Sequence, residues 1–128
     1  MERISFDELL AEAQQVWTDK RTVVKIAKDS YGILCQVEKR KITFYSGRRA
    51  RALVGGLFYL MGYRYDEVKK QNELAYKLST TDVTIRRMYR EWLTSFPDLF
   101  VDVIGKLSQD ESLRYYILID FKRSQQIV

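Results

Sequence analysis

Asp82, Arg86, Arg87 and Arg90 fall within one short stretch, and helical spacing keeps all four off the face formed by Ile85, Met88, Tyr89 and Trp92. A helix with such an outward row suits one chemistry in particular. A guanidinium donates two parallel hydrogen bonds, which match the O6 and N7 acceptors that guanine presents in the major groove of duplex DNA. The same pattern also fits a surface helix whose arginines are merely solvated. Basic residues that could hold phosphates surround the stretch: Lys69 and Lys70 before it, and the cluster Arg48, Arg49, Arg51 further upstream.

Two helices around a tight turn must position this row. Leu74, Ala75 and Leu78 supply the buried face of the first, Ala75 being the small residue at which the two helices touch. Ser79 and Thr80 occupy the turn, and Thr81 is placed to cap the second helix with its hydroxyl. Pro97 marks the end of that second helix, because the residue before a proline is pushed out of the helical region.

The rest of the chain reads as further helices. Ser5-Phe6-Asp7-Glu8 is a capping box, followed by Leu9, Leu10, Ala13, Val16 and Trp17 at helical spacing, which predicts a first helix ending near Asp19. A second helix from about Thr22 carries Val23, Val24, Ile26, Ala27, Tyr31, Leu34 and Val37 and ends in Lys39-Arg40-Lys41. Lys41 to Gly47 is β-branched and aromatic but has no evident partner strand, so it reads as an extended connector. A third helix is expected from about Arg48 to Met61, its Gly55-Gly56 pair signalling a close helix crossing. Asp66 is placed to cap the fourth. Leu99 to Leu107 reads as a short helix. Ser108-Gln109-Asp110-Glu111 repeats the capping box, so Leu113 to Arg123 reads as a last helix, although its alternating apolar residues also fit a strand.

Composition narrows the function classes. The 128 residues are 46% hydrophobic and 13% aromatic, enough for one folded domain and too apolar for a disordered chain. The net charge is +5 and the pI about 9.3, which favours a polyanionic partner. Between Lys20 and Arg51, ten Lys or Arg residues outnumber the acids; they could hold phosphates or simply solvate helix ends. There is no histidine and a single cysteine, Cys35, so neither a zinc finger nor a Cys/His catalytic pair can be built. Asp98, Asp102, Asp110 and Glu111 are too scattered to propose an acid-base pair, and there is no Walker-type phosphate loop. An enzyme is not expected, nor a metal or cofactor. The acidic, polar N-terminal stretch is unlike a signal peptide, and the longest apolar run, Ala52 to Gly62, is shorter than the ~20 residues that span a bilayer. With its unpaired thiol, the chain is expected in the cytoplasm, nucleoid-associated if it binds DNA, with no membrane partner.

Taken in order, these helices resemble one cyclin box, an all-α bundle of five to six helices containing a helix-turn-helix. The closer likeness is to the C-terminal cyclin repeat of the general transcription initiation factor B family. It is carried by Ala52-Leu53-Val54-Gly55-Gly56-Leu57-Phe58-Tyr59-Leu60 and by Val83-Thr84-Ile85-Arg86-Arg87-Met88-Tyr89-Arg90-Glu91-Trp92, which resembles that family's Val-Thr-Ile-Arg, basic, Tyr signature. It is clearest over 47–92, within a single box spanning 1–128 whose residues 108–128 form a C-terminal extension.

The resemblance implies a transcription regulator bound to double-stranded DNA. It places Val83 and Arg86 on base edges. The pattern of basic and polar residues adds Arg87 and Asp82 on the same helix, and puts Thr81, Lys69, Lys70, Arg90, Arg48, Arg49 and Arg51 toward phosphates. The resemblance leaves the TATA-binding protein, RNA polymerase and a second copy of the chain open as partners, and such a stand-alone box would suit an archaeon or an archaeal virus. The chain departs from the family in having no zinc ribbon, no reader segment and one box instead of two. Its turn carries Ser79 and Thr80 where the family has glycine and an apolar residue. A complete initiation factor is therefore excluded. A second function stays open, a cyclin-box module for protein partners, with Tyr63, Tyr65, Tyr115 and Tyr116 as candidate anchors.

Overall fold

The computed structural model describes residues 4–109. They form six α-helices: α1 Phe6–Val16, α2 Lys20–Lys41, α3 Ala50–Arg64, α4 Gln71–Lys77, α5 Asp82–Ser95 and α6 Val101–Leu107. Short 3₁₀ turns at Ile42–Tyr45 and Pro97–Phe100 join α2 to α3 and α5 to α6. No strand occurs among the described residues, and the fold is all-α. The expected helix after Ser108 falls on residues outside the described range.

Local chemistry sets the starts. The Ser5 hydroxyl accepts from the Glu8 amide at 3.1 Å, Asp19 accepts from the Arg21 amide at 3.3 Å, and Thr81 accepts from the Thr84 amide at 3.1 Å. Each satisfies one of the donors that a helix start leaves open. Asp19 thus opens α2 rather than closing α1, and α2 begins two residues before Thr22.

α3 is the axle of the bundle. From Leu53 to Tyr63 every residue is buried, so this helix is covered on all sides by the others. α5 crosses it most closely, at the glycine pair: a methyl group on Gly56 would stand 2.8 Å from the Met88 backbone carbon, and one on Gly55 3.3 Å from Ile85. The Trp92 indole N–H donates to the Leu53 carbonyl at 3.0 Å across the same contact. Each fully buried Leu or Ile here contributes about 1.5–3 kcal/mol relative to exposure.

Two further sequence expectations change. Lys41 to Gly47 is not extended. Ile42–Tyr45 coils into a 3₁₀ turn that buries Phe44 against Trp92 and Phe96 and lets the Tyr45 hydroxyl donate to the Leu34 carbonyl. The aromatic residues that suggested a strand are core residues of a turn. Asp66 does not cap α4, which starts at Gln71 after Lys70. It follows α3 with φ of 58°, while Glu67 N–H donates to the Gly62 carbonyl at 2.8 Å and Asp66 N–H to Tyr63 at 3.3 Å. That pair of bonds is a Schellman closure of α3.

Candidate nucleic-acid interface

The turn between α4 and α5 closes the same way. Thr80 N–H donates to the Ala75 carbonyl at 2.9 Å and Ser79 N–H to Tyr76 at 3.4 Å, with Ser79 at φ 56°. Serine adopts the left-handed conformation that glycine would adopt more readily, so the tight turn forms without the glycine. Leu74, Ala75 and Leu78 are buried, as are Ile85, Met88, Tyr89 and Trp92, which fixes the rotation of α5 and sets what it shows to solvent.

Val83 is 60% exposed and Arg87 is exposed one turn later. The two share a groove with Ser46, Gly47, Arg48 and Arg49 from the segment leading into α3. Residues more than thirty positions apart in sequence thus come together along one edge. Arg86 and Asp82, both half-buried, lie beside α4: Arg86 Nε donates to Gln71 Oε1 at 3.2 Å, and its Nη2 reaches Asp82 Oδ2 at 3.4 Å. These contacts hold the guanidinium by two of its nitrogens and leave Nη1 for an incoming acceptor. Gln71, which the sequence pattern did not single out, sets the orientation of Arg86. Thr81 is exposed at the start of α5, and its hydroxyl is already committed to the cap.

The basic cluster at the start of α3 divides three ways. Arg48 donates to Glu91 at 2.8 Å and to the Phe44 carbonyl, and its guanidinium lies 4.5 Å from the centre of the Phe44 ring. This arginine is an architectural clamp, and it neutralises the acid nearest the groove. Arg49 is exposed in the groove, whereas Arg51 lines a different depression with Glu8 and Glu12 of α1. Lys70 is exposed and Lys69 half-buried immediately before α4, next in sequence to the Gln71 that meets Arg86. Arg90 is half-buried on the same open strip of α5 as Arg86 and Arg87.

Two of the tyrosines expected as protein anchors are engaged within the bundle. Tyr63 is buried, and the Tyr65 hydroxyl donates to Asp29 Oδ2 at 2.9 Å; burial first, then that bond, pushes its pKa up to about 12. Tyr115 and Tyr116 lie outside the described residues. Among the described residues, the tyrosine ring that stands out to solvent is Tyr76 on α4, 87% exposed, and its position on the helix opposite buried Leu74 and Leu78 could have revealed it.

No group of His, Cys, Asp and Glu among the described residues could hold a metal ion, and no described helix is long and apolar enough to cross a membrane. Comparison with family models, with curated proteins and with solved structures gave no match.

Proposed function

We propose that this chain reads duplex DNA with α5, on a framework that resembles a single cyclin box of the initiation factor B kind, and acts as a transcription regulator. The observation that carries the reading is the edge formed by Val83 and Arg87 beside Arg49, with Arg86 oriented next to it by Gln71 and Asp82. A reading helix needs its first turns free and its contacts oriented before binding, because each side chain ordered on docking costs free energy. Val83 can pack against a thymine methyl, and Arg86 and Arg87 can donate to guanine, each such contact discriminating bases by about 1–3 kcal/mol. Arg49 and Lys70 supply phosphate contacts, while Arg48 contributes by cancelling Glu91.

Fluorescence anisotropy on a pool of random duplexes, followed by selected sequences across a salt series, tests this. Log affinity should fall linearly with log salt. Arg86→Ala and Arg87→Ala should reduce the preference for selected sequences, whereas Lys70→Ala should weaken all sequences alike. Equal loss on every sequence from the two α5 variants would refute base reading. Absence of binding at low salt would favour the protein-interaction module, for which exposed Tyr76 is the specific observation.

A further inference from the structure

α2 carries a second cationic surface that the reading helix does not use. Its 22 residues bury Thr22, Val23, Ile26, Ala27, Ser30, Ile33, Leu34 and Val37 against the bundle, which defines an opposite, solvent-facing pole. Arg21, Lys25, Lys28 and Lys39 fall within about 60° of one another around that pole and extend over about 27 Å of helix. All four are exposed, and none forms an ion pair with a described residue. The two acids of α2 sit about a quarter-turn to either side, Asp29 held by Arg64 and Tyr65, and Glu38 on the opposite flank.

Gly32 lies at the centre of the same pole. A methyl group there would meet nothing within 4 Å, so packing within the bundle does not require a glycine. Glycine in a helix interior is nonetheless unfavourable relative to alanine. A bare backbone amid lysines allows a phosphate chain to approach closely. The stripe lacks what other partners need: Val24, 38% exposed, is its one large apolar neighbour, too little for a membrane-seated helix, and lysine is depleted from protein interfaces.

We propose that the α2 stripe is a second phosphate-binding surface that engages a duplex segment other than the one α5 reads, so that one chain bridges two segments of DNA. No residue of α2 lines the depressions that hold Val83, Arg86 and Arg87, and residues 46–49 stand between the two surfaces. The stripe recognises backbone phosphates, without sequence preference.

The test uses the full chain with two short duplexes, one biotinylated on beads and one fluorescent. The wild type should capture the fluorescent duplex on the beads. Lys25→Gln/Lys28→Gln/Lys39→Gln should lower that capture about tenfold while leaving the sequence preference on a single duplex unchanged. Gly32→Glu, in open space where folding is undisturbed, should do the same. The double variant Arg86→Ala/Arg87→Ala should still bind one duplex through the stripe, losing about 100-fold between 50 and 200 mM salt if four phosphates are contacted. Failure of α5 reading would show in the sequence preference and leave this residual binding intact. Undiminished capture by the lysine variant would overturn the proposal. So would a wild type that never captures the second duplex, or one that sediments with vesicles containing phosphatidylserine while the stripe ignores DNA.

Discussion

Arg64 and Arg87 carry the same side chain into opposite circumstances. Arg64, 16% exposed, sits at the corner of α2, α3 and α6, where it donates to Asp29 at 2.9 Å, to both Asp102 oxygens at 3.0 Å and to the Leu99 carbonyl, with its guanidinium 5.7 Å from the Phe100 ring centre. Lys106 completes the corner by donating to the Tyr63 and Arg64 carbonyls that end α3. Arg87 is exposed in the groove beside α3, and Arg86 next to it on α5 is held only lightly, by a neutral amide and a half-buried carboxylate. A count of positive charges treats the two regions alike, yet one holds the fold together and the other is available to a partner.

Breaking the saturated corner should have the largest effect. Arg64→Met keeps the stem over Phe100 but leaves Asp29 without its cation and should cost about 2–3 kcal/mol, less than a fully buried pair because water reaches Asp102. Urea unfolding measures this, and a loss below 0.5 kcal/mol would show that the corner is ornamental to stability. Gly56→Ala comes next. It drives a methyl group into the Met88 backbone and should cost about 2 kcal/mol, with the Val83–Arg87 edge displaced along with α5.

Acid should then separate the two regions. Burial is the largest influence on Asp102 and raises its pKa, but the Arg64 hydrogen bonds, the Arg64 charge and backbone N–H donors together outweigh it and hold the carboxyl below the ordinary carboxylate range; for Asp98 the hydrogen bond from Arg40 does this first. A folded pKa below the unfolded value means that the unfolded chain binds more protons, so this stabilisation is present above about pH 3.9 and is lost as pH falls through the folded values. Urea midpoints measured from pH 6 to pH 3 should decline on that limb, and Arg64→Met should flatten the decline, whereas Arg87→Ala should leave it as it is. The smallest effect is a gain. Ser79→Gly removes a left-handed serine from the α4–α5 turn and should stabilise by about 0.5 kcal/mol, strain relief exceeding the added chain entropy. Asp66→Gly relieves the same strain but loses the 3.1 Å contact to Lys106, so its gain should be smaller.

What could be read in the sequence follows the range of the interaction. The caps at Ser5 and Thr81 and the stripe Ile85, Met88, Tyr89, Trp92 act within a turn or two of helix, and their spacing alone implied them; the Gly55-Gly56 pair implied a close crossing, but not that α5 makes it. The clamp between Arg48 and Glu91, and the Arg64 corner, join residues 35 to 43 positions apart, where no periodicity links donor to acceptor. Arg48 consequently looked like another phosphate ligand. Phe44 and Tyr45 looked like part of an extended connector because aromatic and β-branched content is shared by extended segments and by buried turns. In the candidate interface, the outward row on α5 was legible, while the buttressing of Arg86 by Gln71 depends on how α4 is set against α5.

The bonds of the two tryptophans have a practical consequence. Trp92 is fully buried with its indole N–H on Leu53, and Trp17, 3% exposed, donates to the Glu67 carbonyl at 2.9 Å, one toward the start of α3 and one just past its end. The chain therefore carries its own pair of optical reporters, whose emission shifts to longer wavelength when water reaches the rings. Replacing either with phenylalanine leaves one signal, so the opening of each end of the central helix can be timed separately without a label.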